Sequence, residues 1–124
     1  MGKILIIEDN PNNAEMMIRI LQAAGHEVHH YVEGLKGAVA AREIHPDIIL
    51  MDFDLPDING RNLILVLRKQ LPNTAIIAVT AHVDANNEKI ARRFGSVDYI
   101  AKPFEPNRLL DAVDKQLKKN ELHE

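Results

Sequence analysis

The chain has 124 residues, of which 46% are apolar and 27% are charged, and its formal net charge is −3. This composition is typical of one soluble globular domain, and the near balance of charges argues against a general nucleic-acid binder. The sequence contains no cysteine, which excludes disulfides, thiolate metal sites and a cysteine nucleophile. It has no signal segment and no apolar run near the ~20 residues of a membrane span, so we expect a cytoplasmic protein without membrane attachment.

Apolar runs and helical stretches alternate along the chain from the first residues to the last. Strands are predicted at 3–7, 27–31, 48–51, 76–79 and 99–101. The first, third and fourth are continuously apolar, as is typical of central strands covered on both faces, whereas the second is polar and the fifth is short, as at sheet edges. Helices are predicted at 11–24, 33–44, 60–71, 84–94 and 106–117.

Proline and glycine mark the predicted helix boundaries. Pro11 starts the first helix, Gly25 follows it, and Pro46 and Pro72 close two others. Strict alternation of strand and helix in so short a chain predicts an α/β fold, with a five-stranded parallel sheet and helices on both faces. We expect one domain at residues 1–119 and a loose tail at 120–124.

Chemically reactive residues stand where four of the predicted strands end: Glu8-Asp9, Asp52, Thr80 and Lys102. The carboxyl ends of parallel strands form the crevice where open α/β sheets bind ligands, so these side chains are expected to meet. Three close carboxylates need a cation or a raised pKa, and a set of oxygen ligands favours Mg²⁺ over Zn²⁺. The alternative that Glu8 and Asp9 only cap the following helix stays open.

The first helix carries more apolar surface than one sheet contact requires. Ala14, Met17, Ile18 and Leu21 have the spacing of a core face. Met16, Ile20 and Ala23 form a second stripe beside it. The second stripe is either part of a broad core face or a docking surface for a partner helix.

Five motifs in register give the sequence a resemblance to a known family. They are Glu8-Asp9-Asn10, Ile49-Leu50-Met51-Asp52 with Leu55-Pro56, Asn59-Gly60, Thr80-Ala81, and Lys102-Pro103-Phe104. In order and spacing they resemble the receiver domain of two-component response regulators, over residues 3–118. The chain is similar to stand-alone receivers of chemotaxis and cell-cycle phosphorelays. The resemblance implies a flavodoxin-like, doubly wound sheet with strand order 2-1-3-4-5 and five helices.

The resemblance also implies the chemistry. Asp52 would accept a phosphoryl group from a phosphohistidine on a histidine kinase or a histidine phosphotransferase. Mg²⁺ would be held by Glu8, Asp9, Asp52 and the backbone carbonyl of Asp54. Such a transfer depends mainly on positioning and on neutralising the phosphoryl oxygens.

Further residues gain roles by the same resemblance. Lys102 and Thr80 would bind phosphoryl oxygens, and Tyr99 would rotate inward as Thr80 closes on the phosphoryl group. The Lys102-Pro103 peptide would be cis and aim the ammonium inward. Asp54 and His82 would tune the access of water to the phosphoryl group.

Two surfaces would contact partners. The resemblance places kinase docking at Met16, Ile20, Pro103 and Phe104. A downstream protein target would bind the fourth helix, the last strand and the last helix, and the chain would be a monomer or a phosphorylation-dependent dimer.

Other functions fit the residues less well. Asp52-Phe53-Asp54 is also the Asp-x-Asp pattern of haloacid-dehalogenase-like phosphatases, in which Asp52 would be the nucleophile and Asp54 the acid and base. That motif normally opens the chain and is not followed by proline at the position of Pro56. A dinucleotide-binding enzyme is disfavoured because no G-x-G-x-x-G follows the first strand.

Overall fold

A computed structural model describes residues 2–81 and 84–122. One parallel sheet forms its centre, in the order β2-β1-β3-β4-β5. Its strands are β1 (Lys3–Ile7), β2 (Glu27–Tyr31), β3 (Ile48–Met51), β4 (Ala75–Thr80) and β5 (Asp98–Ala101). The helices are α1 (Pro11–Ala23), α2 (Gly34–Ile44), α3 (Gly60–Gln70), α4 (Ala85–Phe94) and α5 (Pro106–Leu122). The predicted fold class, strand order and edge strands are confirmed.

The sheet separates two apolar cores, because alternate side chains of each strand point to opposite faces. One core packs residues of β1, β3 and β4 against α2, α3 and α4. The other packs the remaining strand residues against α1 and α5. The central strands β1, β3 and β4 are almost completely buried, which explains why they are continuously apolar. None of the helices in the described part of the chain is long and apolar enough to cross a membrane.

Four predicted helix boundaries were wrong by one residue, each because a capping residue was counted as helical. Ala24 and Leu71 are C-caps, whereas Glu33 and Asp84 are N-caps with extended backbone. The Asp84 carboxylate accepts the backbone N–H of Asn87 at 2.7 Å, which is the usual reason for aspartate at this position.

The last helix is longer than predicted. It extends through Leu122, whereas the sequence analysis ended it at residue 117 and expected a loose tail from Asn120. The segment 118–122 contains neither glycine nor proline, and lysine, glutamate and leucine are good helix formers, so nothing stops the helix at residue 117. The helix therefore crosses the predicted boundary at residue 119.

Candidate functional site

The hydrogen-bond ladder of the sheet continues one residue beyond three strands and so fixes the site residues. Glu8 N–H donates to the carbonyl of Tyr31 at 3.0 Å, and Asp52 N–H donates to the carbonyl of Ile7 at 2.9 Å. Lys102 N–H donates to the carbonyl of Thr80 at 2.9 Å. Because β1, β3, β4 and β5 are adjacent and parallel, their four functional residues lie along one edge of the sheet, as the sequence predicted.

Three carboxylates converge at this edge. Glu8, Asp9 and Asp52 each offer an oxygen, and these oxygens all lie within 4.8 Å of one another. Glu8 is fully buried and Asp52 nearly so, whereas Asp9 is exposed to solvent. A group of hard oxygen donors that is open on one side suits a small divalent cation such as Mg²⁺. The residues present therefore fit the predicted metal.

Helix capping does not account for the acidic pair. The N-cap of α1 is Asn10, whose side-chain oxygen accepts the N–H of Asn13 at 3.0 Å. Glu8 instead turns into the pocket, where one of its oxygens accepts the N–H of Asn10 at 3.2 Å. The cap and the acidic pocket are thus made by different residues in the same loop.

The ammonium of Lys102 links two of the carboxylates. It donates to Glu8 Oε1 and to Asp52 Oδ2, the latter at 3.0 Å. The peptide that joins Lys102 to Pro103 is cis, as predicted. Burial opposes the charge on Lys102, but the two hydrogen bonds and the negative charges of Asp52 and Glu8 together hold the pKa of Lys102 above its usual value.

Glu8 shows the electrostatic strain of the pocket most clearly. Burial raises the pKa of Glu8 from 4.5 to about 7; the hydrogen bond from Lys102 opposes this shift and the neighbouring Asp52 adds to it. A carboxyl with this pKa exchanges between neutral and charged forms near neutral pH. A cation that favours the charged form would relieve the pocket.

Both oxygens of Asp52 are held in place. Oδ1 accepts the backbone N–H of Asp54 at 3.0 Å, and Oδ2 accepts the ammonium of Lys102. The loop after β3 that supplies the first of these contacts is closed by a bridge between Asp54 and Asn59. The next residue is Gly60. A side chain does not fit there, because a Cβ would lie only 2.5 Å from the carbonyl oxygen of Phe53.

Thr80 makes a contact that the sequence analysis did not predict. Its side chain is fully buried at the end of β4, and its hydroxyl donates to Asp54 Oδ2 at 3.3 Å. The sequence analysis predicted a role for each of the two residues but no contact between them. The contact forms because the path of the β3–α3 loop brings the Asp54 carboxylate back to β4. Asp54 was predicted, together with His82, to tune the access of water to the phosphoryl group. Asp54 lies in the pocket, whereas His82 lies outside the described residues.

Tyr99 is buried rather than a water-exposed tyrosine of an edge strand. Only 6% of it is exposed, and its ring packs edge-to-face on Phe53 with centroids 6.5 Å apart. Burial raises the pKa of Tyr99, and the carboxylates of Asp84 and Asp54 add to the shift. Phe53 was not recognised from the sequence, although its place directly after Asp52 could have suggested it.

The predicted docking residues lie beside the site, on the face of the sheet that α1 and α5 cover. Met16 is 38% exposed, and with Ile20 and Pro106 it lines a groove of about 370 Å³ between α1 and α5. Pro103 is exposed, whereas Phe104 is half-buried against the core under these helices. The first stripe of α1 is the core face, since Ala14, Met17 and Leu21 are buried.

Comparison with known proteins identifies the arrangement. Residues 4–114 match the family model for the response regulator receiver domain. The polar-differentiation response regulator DivK of Brucella ovis is 34% identical over 116 residues, which cover 92% of this chain and 94% of DivK. The chain also matches the mycobacterial DNA-binding response regulator MtrA at 34% identity, but it spans only about half (52%) of that protein's length.

Solved structures give the same result for the fold. A CheY-like receiver domain protein from Methanospirillum hungatei is 27% identical and superposes with a TM-score of 0.95, covering 100% of this chain and 99% of that one. The receiver domain of the Pseudomonas aeruginosa sensor histidine kinase PA1611, solved with a magnesium ion in its active-site cleft, has 28% identity and a TM-score of 0.87. That match covers 94% of this chain and 98% of the other.

Proposed function

We propose a phosphoacceptor function, centred on Asp52, for this chain, which belongs to the family of response regulator receiver domains of two-component signalling. The observation that carries the proposal is the position of Asp52. Its carboxylate lies at the carboxyl end of β3, where it is one of three carboxylates that could hold a metal ion and accepts a hydrogen bond from the ammonium of Lys102. The similarity gives no support to the haloacid-dehalogenase-like alternative.

The transfer begins with Asp52 held by its two hydrogen bonds. A carboxylate oxygen attacks the phosphorus of a phosphohistidine, the P–N bond breaks, and its electron pair stays on the imidazole nitrogen. The backbone N–H of Asp54 and the ammonium of Lys102 orient the nucleophile before the attack. Positioning of this kind is a main source of catalysis in phosphoryl transfer.

Receiver domains use Mg²⁺ at an acidic pocket, and we assign its ligands here to Glu8, Asp9, Asp52 and the Asp54 carbonyl. The chemistry that the ion supplies when bound is neutralisation of the carboxylates and of the phosphoryl oxygens. The magnesium reported for the Pseudomonas receiver supports this assignment.

After transfer, two side chains respond to the new dianion. The ammonium of Lys102, which donates to Glu8 and Asp52 before transfer, would bind one phosphoryl oxygen, and the Thr80 hydroxyl would leave Asp54 to donate to another. We propose that Tyr99 then repacks, since its ring touches the loop that carries Phe53, and that the changed surface of α4, β5 and α5 binds a downstream protein. Asp54 and His82 tune the lifetime of the phosphorylated state.

The kinase or phosphotransferase would dock on the groove formed by Met16, Ile20 and Pro106, with Pro103 and Phe104 next to it. We place the domain in the cytoplasm on family grounds, and we expect it to contact no nucleic acid directly. Phosphorylation would either leave its oligomeric state unchanged or promote dimerisation. It would catalyse only its own phosphorylation and dephosphorylation.

The proposal is tested by labelling with acetyl phosphate in the presence of Mg²⁺ or EDTA. Asp52→Asn keeps the size of the side chain but removes the nucleophile, so we expect no labelling, whereas the matched variant Asp111→Asn, at an exposed position of α5, labels like the wild type. EDTA should suppress labelling of both wild type and Asp111→Asn. Labelling that persists in Asp52→Asn would refute the assignment.

A turnover assay separates the receiver from a phosphatase. Incubation with a generic phosphate ester should release no more phosphate from the wild type than from Asp52→Asn, because a receiver does not cycle on such esters. Steady Mg²⁺-dependent turnover that requires Asp54 would instead favour the acid and base role of that residue.

A further inference from the structure

Exposed apolar side chains are concentrated in α2 and directly before it. Val32, Leu35 and Val39 are 51%, 52% and 57% exposed, the highest values among the large apolar residues in the described part of the chain. The other such residues, Met16, Leu65 and Val97, are spread over three different parts of the surface. A contiguous apolar patch on a polar surface marks an interaction site more often than single exposed residues do.

Two of these residues form a ridge along the helix. Leu35 and Val39 are one turn apart and therefore adjacent on the same face. Together with Tyr31 and the small side chain of Ala40 they line a shallow groove of about 390 Å³, bordered by Lys36 and Glu43. The ridge and the groove together have the shape that a second helix needs for packing.

The charges at the ends of this groove have opposite signs. Lys36 and Glu43 are seven residues apart, two turns of helix, on either side of the midpoint between Val39 and Ala40. Lys36 contacts Glu33 at 3.2 Å, but 73% of the lysine side chain and 49% of the glutamate side chain are exposed. An ion pair this exposed contributes little, so Lys36 can exchange it for another carboxylate at small cost.

We propose that α2 binds α2 of a second copy of this chain, with the two helices antiparallel about a two-fold axis near Val39 and Ala40. In this arrangement each Val39 enters the groove of the other copy, where Ala40, only 6% exposed, is part of the lining. Each Lys36 meets Glu43 of the other copy, so that two ion pairs enclose the apolar centre. An interface with two-fold symmetry must be complementary to itself, and the sign change of charge across the midpoint meets that requirement.

The expected dimer is weak and independent of phosphorylation chemistry. One short helix on each side gives an interface in the small, transient class, below about 1,200 Å². The face with α2 lies across the sheet from α1 and α5, so the groove proposed for kinase docking stays open. Asp52 should accept phosphoryl groups equally well in monomer and dimer.

Sedimentation of the full chain over a wide concentration range tests the proposal. We expect a reversible monomer–dimer equilibrium for the wild type and a dissociation constant raised by about tenfold or more in Val39→Glu, in which a charge replaces the apolar centre. The matched control is Leu65→Glu, which changes an exposed apolar residue of α3 and should leave the equilibrium unchanged. Labelling by acetyl phosphate and circular dichroism verify that both variants fold.

Charge exchange tests the antiparallel arrangement itself. Lys36→Glu and Glu43→Lys each place like charges together at both ends and should weaken self-association about tenfold. The double variant restores both pairs and should dimerise like the wild type. An equimolar mixture of the two single variants should form a heterodimer, because all four charges then find opposite partners.

Three results would overturn the proposal. The first is a wild type that stays monomeric at the highest concentration reached. The second is a dimer that Leu65→Glu disrupts and Val39→Glu does not. The third is a mixture of the two single variants that associates no better than either variant alone. This result is also expected if α2 binds a helix of another protein rather than a second copy.

Discussion

At the residue scale, the proposed switch depends on an exchange of hydrogen-bond partners in the pocket. Lys102 bridges Glu8 and Asp52, and Thr80 donates to Asp54. A phosphoryl group on Asp52 would bring three acceptor oxygens into this space, and these would compete with the carboxylates for the same donors. In the proposed function the hydroxyl of Thr80 exchanges Asp54 for a phosphoryl oxygen, and this exchange would report the state of Asp52.

Replacing Thr80 tests this exchange. Thr80→Ala removes the hydroxyl, so we expect labelling by acetyl phosphate near the wild-type level but a change in the Tyr99 ring resonances at most half that of the wild type. Thr80→Ser keeps the hydroxyl and should retain the change. The measurement is the NMR spectrum of the tyrosine rings before and after phosphorylation. A full response of Tyr99 in Thr80→Ala would show that the hydroxyl does not transmit the signal.

At the element scale, α1 divides its surface between core and solvent. Ala14, Met17 and Leu21 pack on the sheet, and the neighbouring stripe with Met16 faces the groove toward α5. The first stripe is thus the core face, whereas the second contacts the core only in part, since Ile20 is half-buried against it and Met16 is exposed. Docking of a partner on the second stripe stays a prediction. The helix lies directly after the acidic pocket, which brings a partner bound there close to Asp52.

Met16→Arg tests docking on this stripe. The donor is a histidine kinase that phosphorylates the wild type. A charged, longer side chain in the groove should make phosphotransfer from this kinase about tenfold slower, which corresponds to about 1.4 kcal/mol. Transfer from acetyl phosphate, which needs no docking, should be unchanged. Leu65→Arg on α3 is the control. Equal slowing with both donors would contradict the assignment of this surface.

At the scale of the whole molecule, we expect metal binding at the acidic pocket to stabilise the fold. The loops after β1 and β3 bring Glu8, Asp9 and Asp52 together only when the sheet is formed, so the unfolded chain lacks the site. A ligand that binds only the folded state stabilises it, by about 2.7 kcal/mol at a concentration 100 times its dissociation constant. Mg²⁺ should therefore raise the free energy of unfolding.

The metal effect should depend on pH through Glu8. Because folding raises the pKa of this carboxyl from 4.5 to about 7, its contribution to stability in the metal-free protein is fully present below pH 4.5 and is lost as the pH rises through about 7. The ion binds the charged form, so its affinity should be about tenfold lower at pH 6 than at pH 8.

Urea unfolding with Mg²⁺ and with EDTA at the two pH values checks this expectation. Stabilisation by Mg²⁺ should be larger at pH 8, and Glu8→Gln should make it small and nearly independent of pH. Asp111→Asn is the matched control and should behave like the wild type. Equal stabilisation of wild type and Glu8→Gln would remove Glu8 from the metal site.

The sequence predicted features that depend on local pattern and on topology. The continuously apolar run from Ile48 to Met51 indicated a central strand. Asp52, which follows this strand, was therefore expected at the carboxyl edge of the sheet with Glu8 and Lys102. Features that depend on the path of a loop were missed: the contact of Thr80 with Asp54 and the packing of Phe53 on Tyr99 both require the turn that returns through Asn59. The length of α5 was underestimated: residues 118–122 are mostly polar, but they contain no glycine or proline that would end the helix.

The most direct test of the account is to locate the phosphoryl group on the wild-type chain. The protein is treated with acetyl phosphate and Mg²⁺, the acyl phosphate is reduced with borohydride, and the peptides are analysed by mass spectrometry. The account predicts that modification occurs at Asp52 and requires Mg²⁺. Modification at Asp9 or Asp54 with Asp52 unchanged would contradict it.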